Sequence, residues 1–358
     1  MNKRIGILGH FAIGKEFYDG QTIKTKILYK ELKKKVDEDS VEYVDIFGWK
    51  RNFLRILINT ISMSRKCDNI IIILSKKGRN LFIPILYICK LFFGTNLHCI
   101  VLGGGFPEQM KKHKIVKFIS KKIDGIYVET NKMMISLNRM GYKNNYLLNN
   151  FKNLNIIDEN DLNMNIINPL KLCTFSRVCK EKGIEDIIES IININNKQKE
   201  VIYTLDIYGQ IQEDYKNTFY KIIRETPDYI RYKGIVEFDK SVDVVKEYFM
   251  LVFPTLYKTE GVPGTIIDAY AAGVPVIASE WDSWSDVVDK NITGITYKFG
   301  NVKSLEDSLV KISNNPNDII SLKKNCLRKA YEYNSDTVIN KLLNILKINY
   351  KEIVDYEN

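Results

Sequence analysis

Short apolar runs alternate with amphipathic stretches along this 358-residue chain. The apolar runs have the length and composition of buried strands, whereas the stretches between them repeat apolar residues every three or four positions, as helices do. This alternation predicts α/β domains with parallel, doubly wound sheets. Strands are predicted over 5–8, 41–47, 70–74, 98–102, 125–129, 146–148, 170–176, 203–208, 230–232, 250–254 and 274–278, and helices over 22–34, 81–93, 108–122, 131–140, 184–194, 214–225, 242–248, 303–314 and 317–331.

The alternation is interrupted once, by the asparagine-rich stretch 149–168, which is the best candidate for a linker. A chain of this length also exceeds the size at which a single hydrophobic core usually stops growing, about 250–300 residues. We therefore predict one Rossmann-like domain over 1–152 and a second over 168–334. Two such domains are expected to face each other across a cleft, a common location for ligands.

The positive charge of the chain is concentrated in its first half. Residues 1–150 contain 27 lysines and arginines against 12 acidic residues, whereas residues 151–358 contain 26 against 31. This asymmetry favours a first half that faces an anionic surface or polymer, although a lysine-rich solvated surface has the same composition. The predicted helix 108–122 likewise suits either an anionic lipid surface or ordinary packing on a sheet. It carries Ile115, Ile119 and Ile123 on one side and Lys114, Lys117 and Lys121 on another.

Composition argues against several kinds of site. The six cysteines include no Cys-x-x-Cys pair, which indicates reduced core residues rather than disulfides or a metal site. The three histidines do not cluster with cysteines or carboxylates, so no metal is expected. The first residues lead into a strand rather than a secretory signal, and the longest apolar stretch is shorter than the ~20 residues that cross a bilayer. We expect a cytoplasmic protein without a nucleic-acid partner, peripheral on the inner face of the membrane if the basic half binds lipid.

The most informative segment is the loop-to-helix element Glu260-Gly-Val-Pro-Gly-Thr-Ile-Ile-Asp268, which follows a predicted buried strand. Open α/β sheets bind their ligands at this end of the strands. Glu260 can accept hydrogen bonds from sugar hydroxyls. The N–H groups of Val262, Gly264 and Thr265 lie where the start of a helix attracts anions. The alternative is a capping box with Thr265 as N-cap and Asp268 three residues later, and the two interpretations can coexist.

A second group of charged residues lies in 176–183, directly after the first predicted strand of the second half. Arg177 and Lys182 at such a turn can hold a diphosphate and neutralise the charge that develops on a leaving group. Alternatively, they form surface ion pairs with Glu181 or Glu185, which contribute little stability.

Two glycine-containing loops of the first half allow a ligand to approach the backbone closely. Gly20 lies just before the first predicted helix, and Gly104 and Gly105 follow the fourth predicted strand. All three are equally compatible with ordinary turns. Neither loop has the Gly-x-Gly-x-x-Gly pattern, which argues against a nicotinamide enzyme.

At these residues the chain resembles glycosyltransferase family 4, the retaining, nucleotide-sugar-dependent enzymes of the GT-B fold. The resemblance covers most of the second half, through Ser-Arg177…Glu-Lys182-Gly and Glu260-Gly…Asp268-Ala…Gly-Val-Pro-Val. In the first half it rests on the β/α rhythm and on Gly20. It implies that Arg177 and Lys182 hold the donor diphosphate, that Glu260 contacts the donor sugar and that Asp268 contacts the ribose.

The chain departs from the family pattern in two places. Asp268 replaces the usual glutamate and is one methylene shorter. Many members have a histidine in the loop after the fourth strand, where this chain has Gly-Gly-Gly-Phe at 103–106. The resemblance also implies that the helix within 335–358 returns to the first domain. The stretch 234–237, which ends at Glu237, is a weak candidate for the border of the pocket that holds the nucleotide's base.

The activity implied by the resemblance is retaining sugar transfer from a nucleoside-diphosphate sugar to a glycan or lipid-linked acceptor, held by the first domain. It implies a role in cell-surface polysaccharide biosynthesis, without a cofactor or catalytic metal. Two alternatives remain open. One is a nucleotide-sugar epimerase of the same fold, and the other is a non-catalytic, membrane-associated subunit that binds a sugar nucleotide.

Overall fold

A computed structural model describes residues 3–15, 20–237 and 239–350. The chain divides into two compact units, of which the first comprises residues 1–153 and 334–358 and the second residues 154–333. Each unit contains a six-stranded sheet, and the strands of both sheets run parallel. The expected α/β class with two doubly wound domains is therefore confirmed.

The first unit is a parallel sheet with helices on both faces. Its strands are in the order β2-β1-β3-β4-β5-β6, so the connections change direction between β1 and β3. In chain order its elements are β1 (Ile5–Gly9), α1 (Gly20–Lys35), β2 (Val41–Asp45), α2 (Phe53–Lys66), β3 (Asn69–Ile73), α3 (Lys76–Phe93), β4 (Asn96–Ile100), α4 (Phe106–Lys112), α5 (Lys114–Ser120), β5 (Gly125–Val128), α6 (Asn131–Arg139), β6 (Asn145–Leu147) and, from the end of the chain, α14 (Ser335–Leu346).

Different helices cover the two faces of this sheet, because right-handed crossovers in opposite directions lie on opposite faces. Helices α2 to α6 pack on one face, where Ile56, Phe82 and Val116 join one apolar cluster. Helices α1 and α14 pack on the other, where Leu28 and Leu342 belong to a second cluster. A buried ammonium, that of Lys35 on α1, pairs with Asp336 on α14 and holds these two helices together.

The second unit repeats this architecture with the strand order β12-β11-β10-β7-β8-β9. Buried isoleucines, leucines and valines from both sides of the sheet fill its core. Its elements are β7 (Leu170–Phe175), α7 (Ile184–Gln198), β8 (Tyr203–Tyr208), α8 (Lys216–Glu225), β9 (Ile230–Gly234), α9 (Ser241–Val245), β10 (Met250–Phe253), α10 (Gly264–Ala271), β11 (Val276–Ser279), β12 (Gly294–Tyr297), α11 (Val302–Asn314), α12 (Pro316–Ile320) and α13 (Lys323–Ala330).

The prediction of one continuous helix over 108–122 is wrong. The backbone leaves the helical conformation at His113 and divides the stretch into α4 and α5. Because α5 then ends at Ser120, the expected isoleucine stripe does not form: Ile123 is buried beyond the helix, whereas Ile115 is 73% exposed. Val116 and Ser120 are the residues of α5 that are buried.

Two elements lie outside the predicted pattern. Helix α2 was not predicted because it carries apolar residues on its exposed side as well as its buried side, which hides the helical period of its hydrophobicity. Strand β12 is only four residues long and pairs with β11. The predicted helix 317–331 is divided into α12 and α13.

All six cysteines are buried and unpaired, as their pattern predicted.

A buried ion pair joins α1 to the end of β5. The Lys24 Nζ lies 2.7 Å from Glu129 Oε1, both side chains are nearly inaccessible to solvent, and the Lys24 ammonium lies 4.9 Å from the centre of the Phe151 ring. Because water does not reach either charged group, removal of one would leave the other buried without a counter-charge.

We expect Glu129→Gln to lower the free energy of unfolding by about 3 kcal/mol, because it leaves the Lys24 ammonium buried without a counter-charge. The double variant Lys24→Met/Glu129→Gln removes that charge as well and should lose less. Urea unfolding of the three proteins measures both losses. A larger loss in the double variant than in Glu129→Gln would contradict this account.

Candidate functional site

The second sheet has its topological switch point between β7 and β10. From β7 the chain proceeds to β8 and β9 on one side, and it then crosses to β10, β11 and β12 on the other. The connections that follow β7 and β10 therefore run toward opposite edges of the sheet, and the carboxyl ends of these two strands border a crevice of the kind in which doubly wound sheets bind ligands. Residues 176–183 follow β7 and residues 254–263 follow β10, so the two charged segments singled out in the sequence meet here.

The loop after β7 is held tightly against the loop after β10. Gly183 ends a short 3-10 turn with a φ of +64°, and a Cβ atom at this position would lie 1.9 Å from the carbonyl oxygen of Pro254. The Leu256 N–H donates a hydrogen bond of 2.8 Å to the Glu181 carbonyl. Only glycine fits both the left-handed backbone and the close approach. These contacts place Lys182 opposite Glu260.

Lys182 and Glu260 form an ion pair across the two loops. The Lys182 Nζ lies 2.5 Å from Glu260 Oε2, and the side chains are only 15% and 18% exposed. The Lys182 ammonium also lies 5.4 Å from the centre of the Phe253 ring, and the Thr255 hydroxyl donates to the same Glu260 oxygen over 3.3 Å. A partly buried, charge-assisted contact of this kind is stronger than a surface ion pair. It gives the crevice one cation and one carboxylate that are already positioned.

The capping-box interpretation of α10 is wrong. The helix begins at Gly264 after Pro263, so Thr265 lies inside the first turn and is not the N-cap. The Thr265 hydroxyl is buried without a hydrogen-bond partner in the described part of the chain. Across the same described ranges, no hydrogen bond satisfies the N–H groups of Gly264 and Thr265, as is usual for the first turn of a helix. These groups and the helix dipole favour an anion at this end of α10.

The remaining residues predicted for this site lie on or just before α10, on the loop after β7 and on the loop after β9. Val262 is buried just before α10, and Asp268 is buried within α10, one turn after its start. Arg177 lies on the same loop as Lys182 but is exposed, and it forms no ion pair with any residue that the structure describes. Glu237 lies in the exposed loop after β9, two strands away from β7 in the sheet.

The glycines predicted to contact a ligand in the first unit, Gly20, Gly104 and Gly105, differ in backbone conformation and surroundings. Gly20 is the first residue of α1, and a Cβ atom there would have no atom of the described residues within 4 Å. In the loop after β4 the glycine with a positive φ is Gly103, at +70°, whereas Gly105 precedes α4 with a φ of −82°. The structure therefore gives no steric reason for glycine at positions 20 and 105, and Gly104 is a half-buried loop residue.

A buried arginine that the sequence pattern did not reveal joins α3 to α4, the helix that follows the glycine loop. The Arg79 guanidinium donates to the Leu74 carbonyl over 2.6 Å and to Gln109 Oε1 over 2.8 Å, and it lies 5.3 Å from the centre of the Phe106 ring. Burial lowers the pKa of Arg79 from its usual value. No sequence signal distinguishes this residue from the surrounding surface lysines.

An aromatic network also lies at the carboxyl ends of β7 and β8. The Tyr248 hydroxyl donates to Asp206 over 2.8 Å, and its contact with the Tyr208 hydroxyl is 2.7 Å. Arg231 donates to both oxygens of Asp206. Desolvation and the hydrogen bonds to Tyr208 and Asp206 raise the pKa of Tyr248 well above its usual value, so its hydroxyl stays protonated. Phe175 stacks on Tyr208 with ring centres 4.3 Å apart, next to the loop that carries Arg177.

Within the described ranges, no group of three or more histidine, cysteine, aspartate or glutamate side chains is arranged to hold a metal ion. The two crevice loops carry the positive charges of Arg177, Lys180, Lys182 and Lys258, and the start of α10 adds the positive end of a helix dipole.

Comparison with known proteins assigns the second unit. Residues 169–315 match the family model described as glycosyl transferases group 1. The second unit contains a glycosyltransferase group 1 domain. The matched residues include β7 to β12 and hence both loops of the crevice.

Two curated relatives are glycosyltransferases. An uncharacterised glycosyltransferase of Methanocaldococcus jannaschii is 24% identical over 267 residues, which are 69% of this chain and 64% of the relative. The amylovoran biosynthesis glycosyltransferase AmsK of Erwinia amylovora is 22% identical over 184 residues, 50% of this chain and 45% of AmsK. The chain thus spans less than two thirds of either relative.

A solved structure matches nearly the whole chain. Anabaena Alr3699/HepE, crystallised in complex with UDP and glucose, superposes with a TM-score of 0.74 over 96% of this chain and 99% of its own, at 12% identity. At this identity the likeness shows the fold alone. It confirms the expected GT-B class.

The contact between Gly183 and Pro254 leads to a stability prediction. We expect Gly183→Ala to be clearly more destabilising than Gly300→Ala, its matched control. Gly300 has nearly the same φ, +63°, but the nearest atom to an added Cβ is 4.0 Å away, so that variant should lose only the backbone strain of about 1–2 kcal/mol. Chemical unfolding of both variants measures the difference, and equal losses would show that the close approach is not required.

Proposed function

We propose that this protein is a retaining glycosyltransferase that moves a sugar from a nucleoside-diphosphate sugar to a glycan or lipid-linked acceptor. The observation that carries the proposal is the Lys182–Glu260 pair, which lies beside the start of α10 at the switch point of a glycosyltransferase group 1 domain. This crevice combines fixed positive charge with one carboxylate. Those are the groups needed to hold a diphosphate and a sugar hydroxyl side by side.

In the proposed donor complex, the diphosphate contacts Lys182, Arg177 and the free N–H groups of Gly264 and Thr265. These groups stabilise the negative charge that accumulates on the nucleoside diphosphate as the glycosidic bond breaks. Glu260 accepts hydrogen bonds from hydroxyls of the donor sugar, and Asp268 contacts the ribose. The cations and helix terminus supply the positive charge, so the reaction is proposed to need no catalytic metal.

Donor binding in this scheme requires an exchange of ion-pair partners. In the structure, Lys182 pairs with Glu260, and the Thr255 hydroxyl donates a hydrogen bond to the same carboxylate. A diphosphate carries more negative charge than one carboxylate and competes effectively for the Lys182 ammonium. The released carboxylate is then available to the sugar, still oriented by Thr255.

Similar proteins support the choice of donor and pathway. The HepE crystals contain UDP and glucose, which makes UDP-sugars the first donors to test. AmsK is named for amylovoran biosynthesis, which supports an acceptor that is part of a growing polysaccharide. We propose that the acceptor binds to the first unit, near the carboxyl ends of its strands. We also propose that transfer retains the anomeric configuration and that the protein belongs to glycosyltransferase family 4.

Incubation with UDP-sugars and a glycan or lipid-linked acceptor extract tests the activity, and NMR of the product gives the anomeric configuration. We expect transfer with retention. Conversion of the nucleotide sugar without any acceptor would instead identify an epimerase. Binding without turnover on every acceptor would identify a non-catalytic subunit, and an inverted product would contradict the proposed stereochemistry.

The exchange of partners predicts opposite effects of two substitutions on UDP binding. Lys182→Ala should weaken UDP binding about tenfold or more, because a charge-assisted hydrogen bond to the diphosphate is lost. Glu260→Gln should bind UDP at least as tightly as the unmodified protein, because Lys182 is no longer neutralised, yet it should lose about 100-fold in kcat. Isothermal titration and turnover assays measure the two effects. Lys180→Ala, an exposed position on the same loop, is the control and should change neither. Weakened UDP binding in Glu260→Gln would contradict the exchange.

Thr255 is proposed to act by positioning Glu260. Thr255→Val preserves the shape of the fully buried side chain but removes the hydroxyl that donates to the carboxylate, so kcat should fall about tenfold while UDP affinity stays unchanged. Thr255→Ser retains the hydroxyl and should keep most of the activity. Equal losses in the two variants would indicate a packing role instead.

A further inference from the structure

Helix α2 presents apolar side chains to solvent as well as to the core. Ile56 and Met63 are buried against the first sheet. On the opposite side, Leu54, Ile58 and Ile61 recur at intervals of four and three residues, which aligns them on one stripe. Leu54 is 73% exposed and Ile58 is 65% exposed. One apolar side is enough to pack a helix on a sheet, so packing within the first unit does not explain the second apolar side of α2.

The neighbouring helices have the same property. Helix α3 packs against both α2 and α5, and all three cover the same face of the sheet. On α3, Ile88 and Phe92 are exposed, the latter to 79%, and on α5 Ile115 and Phe118 are exposed. We call the solvent side of these helices the basic apolar face; it is defined by Leu54, Ile58, Ile88, Phe92, Ile115 and Phe118.

The charge of this region is strongly positive. Residues 50–122 contain 15 lysines and arginines and two acidic residues, a net charge of +13 in a chain whose total is +10. Helices α2, α3 and α5 contain no acidic residue at all. Cations also lie over the exposed rings: the Lys122 Nζ is 4.4 Å from the centre of the Phe118 ring, and the Arg65 guanidinium is 6.0 Å from that of Phe93.

These features together select one kind of partner. A soluble polyanion would use the lysines but leave the apolar side chains in water, and a neutral protein surface would cover the apolar side chains but leave the excess charge unpaired. An anionic bilayer uses both, because the apolar side chains enter the boundary with the acyl chains while lysines and arginines remain at the lipid phosphates. We propose that the basic apolar face docks this protein on an anionic phospholipid bilayer.

This proposal goes beyond the sugar-transfer reaction and does not depend on it. The exposed side chains lie on the first unit, whereas the proposed donor site belongs to the second. Docking would place the protein on the surface where lipid-linked acceptors are found. Within the described ranges, no helix is long and apolar enough to cross a bilayer, and the proposed contact is confined to the lipid surface.

Co-sedimentation with vesicles tests the proposal on the full chain. We expect binding to vesicles of phosphatidylcholine mixed with phosphatidylglycerol and at least tenfold weaker binding to phosphatidylcholine alone, with the difference decreasing as salt is added. Removing one apolar anchor from each helix should lower the partition coefficient by at least about tenfold, since each exposed side chain contributes transfer free energy. That triple variant is Ile58→Ser/Phe92→Ser/Phe118→Ser.

The matched control replaces three exposed apolar residues of the second unit, as Val201→Ser/Tyr220→Ser/Ile292→Ser, and should bind vesicles like the unmodified protein. UDP binding by both triple variants, together with their unfolding curves, reports whether they remain folded and is independent of the vesicle result. Three outcomes would overturn the proposal: no binding to anionic vesicles, equal loss in both triple variants, or unchanged binding in the anchor variant. Heparin binding that competes with vesicles and is insensitive to the anchor substitutions would identify a polyanion site instead.

Discussion

The close contact between the loops that leave β7 and β10 is the constraint on which the rest of the second unit's site depends. The two strands are neighbours in the sheet although about 80 residues separate their loops in the chain, and Gly183 lets the loops meet without a side chain between them. The contact sets the distance between Lys182 and Glu260. A wider separation would leave an isolated lysine and an isolated carboxylate.

The Lys182–Glu260 pair has a physical cost and a physical benefit. Partial burial removes water from both charges, which is unfavourable, and their mutual attraction offsets that loss. The benefit is that both side chains are already ordered, so ligand binding costs less side-chain conformational entropy. The Thr255 hydroxyl and the Phe253 ring restrict the two side chains further. Preorganised charges of this kind need little rearrangement during a reaction, which is the main source of electrostatic stabilisation in enzymes.

The first unit has the same architecture, but three of its helices carry more apolar surface than the sheet covers. Its helices need one apolar side to cover the sheet, and α2, α3 and α5 carry a second apolar side that the sheet does not use. Because these helices contain no acidic residues, their lysines and arginines have no counter-charge within the same helices. Burial and charge, considered separately, would each have an ordinary explanation. Their coincidence on three adjacent helices is what requires a partner with both an apolar layer and negative charge.

The sequence alone determined the two parallel sheets, since the alternation of buried runs and amphipathic stretches survives small errors in boundaries. It also identified the charged segments around Lys182 and Glu260, because charged residues and glycines after a buried strand have few purely structural uses. It could not reveal that the two side chains pair or that the Thr255 hydroxyl donates to Glu260. Nor could it reveal that Arg79 joins α3 to α4, or that Thr265 lies inside a helix whose start is set by Pro263. Those facts depend on which strands are neighbours and on backbone turns of one or two residues. Periodicity also failed where both sides of a helix are apolar, as in α2, because only the packed structure decides which side faces the core.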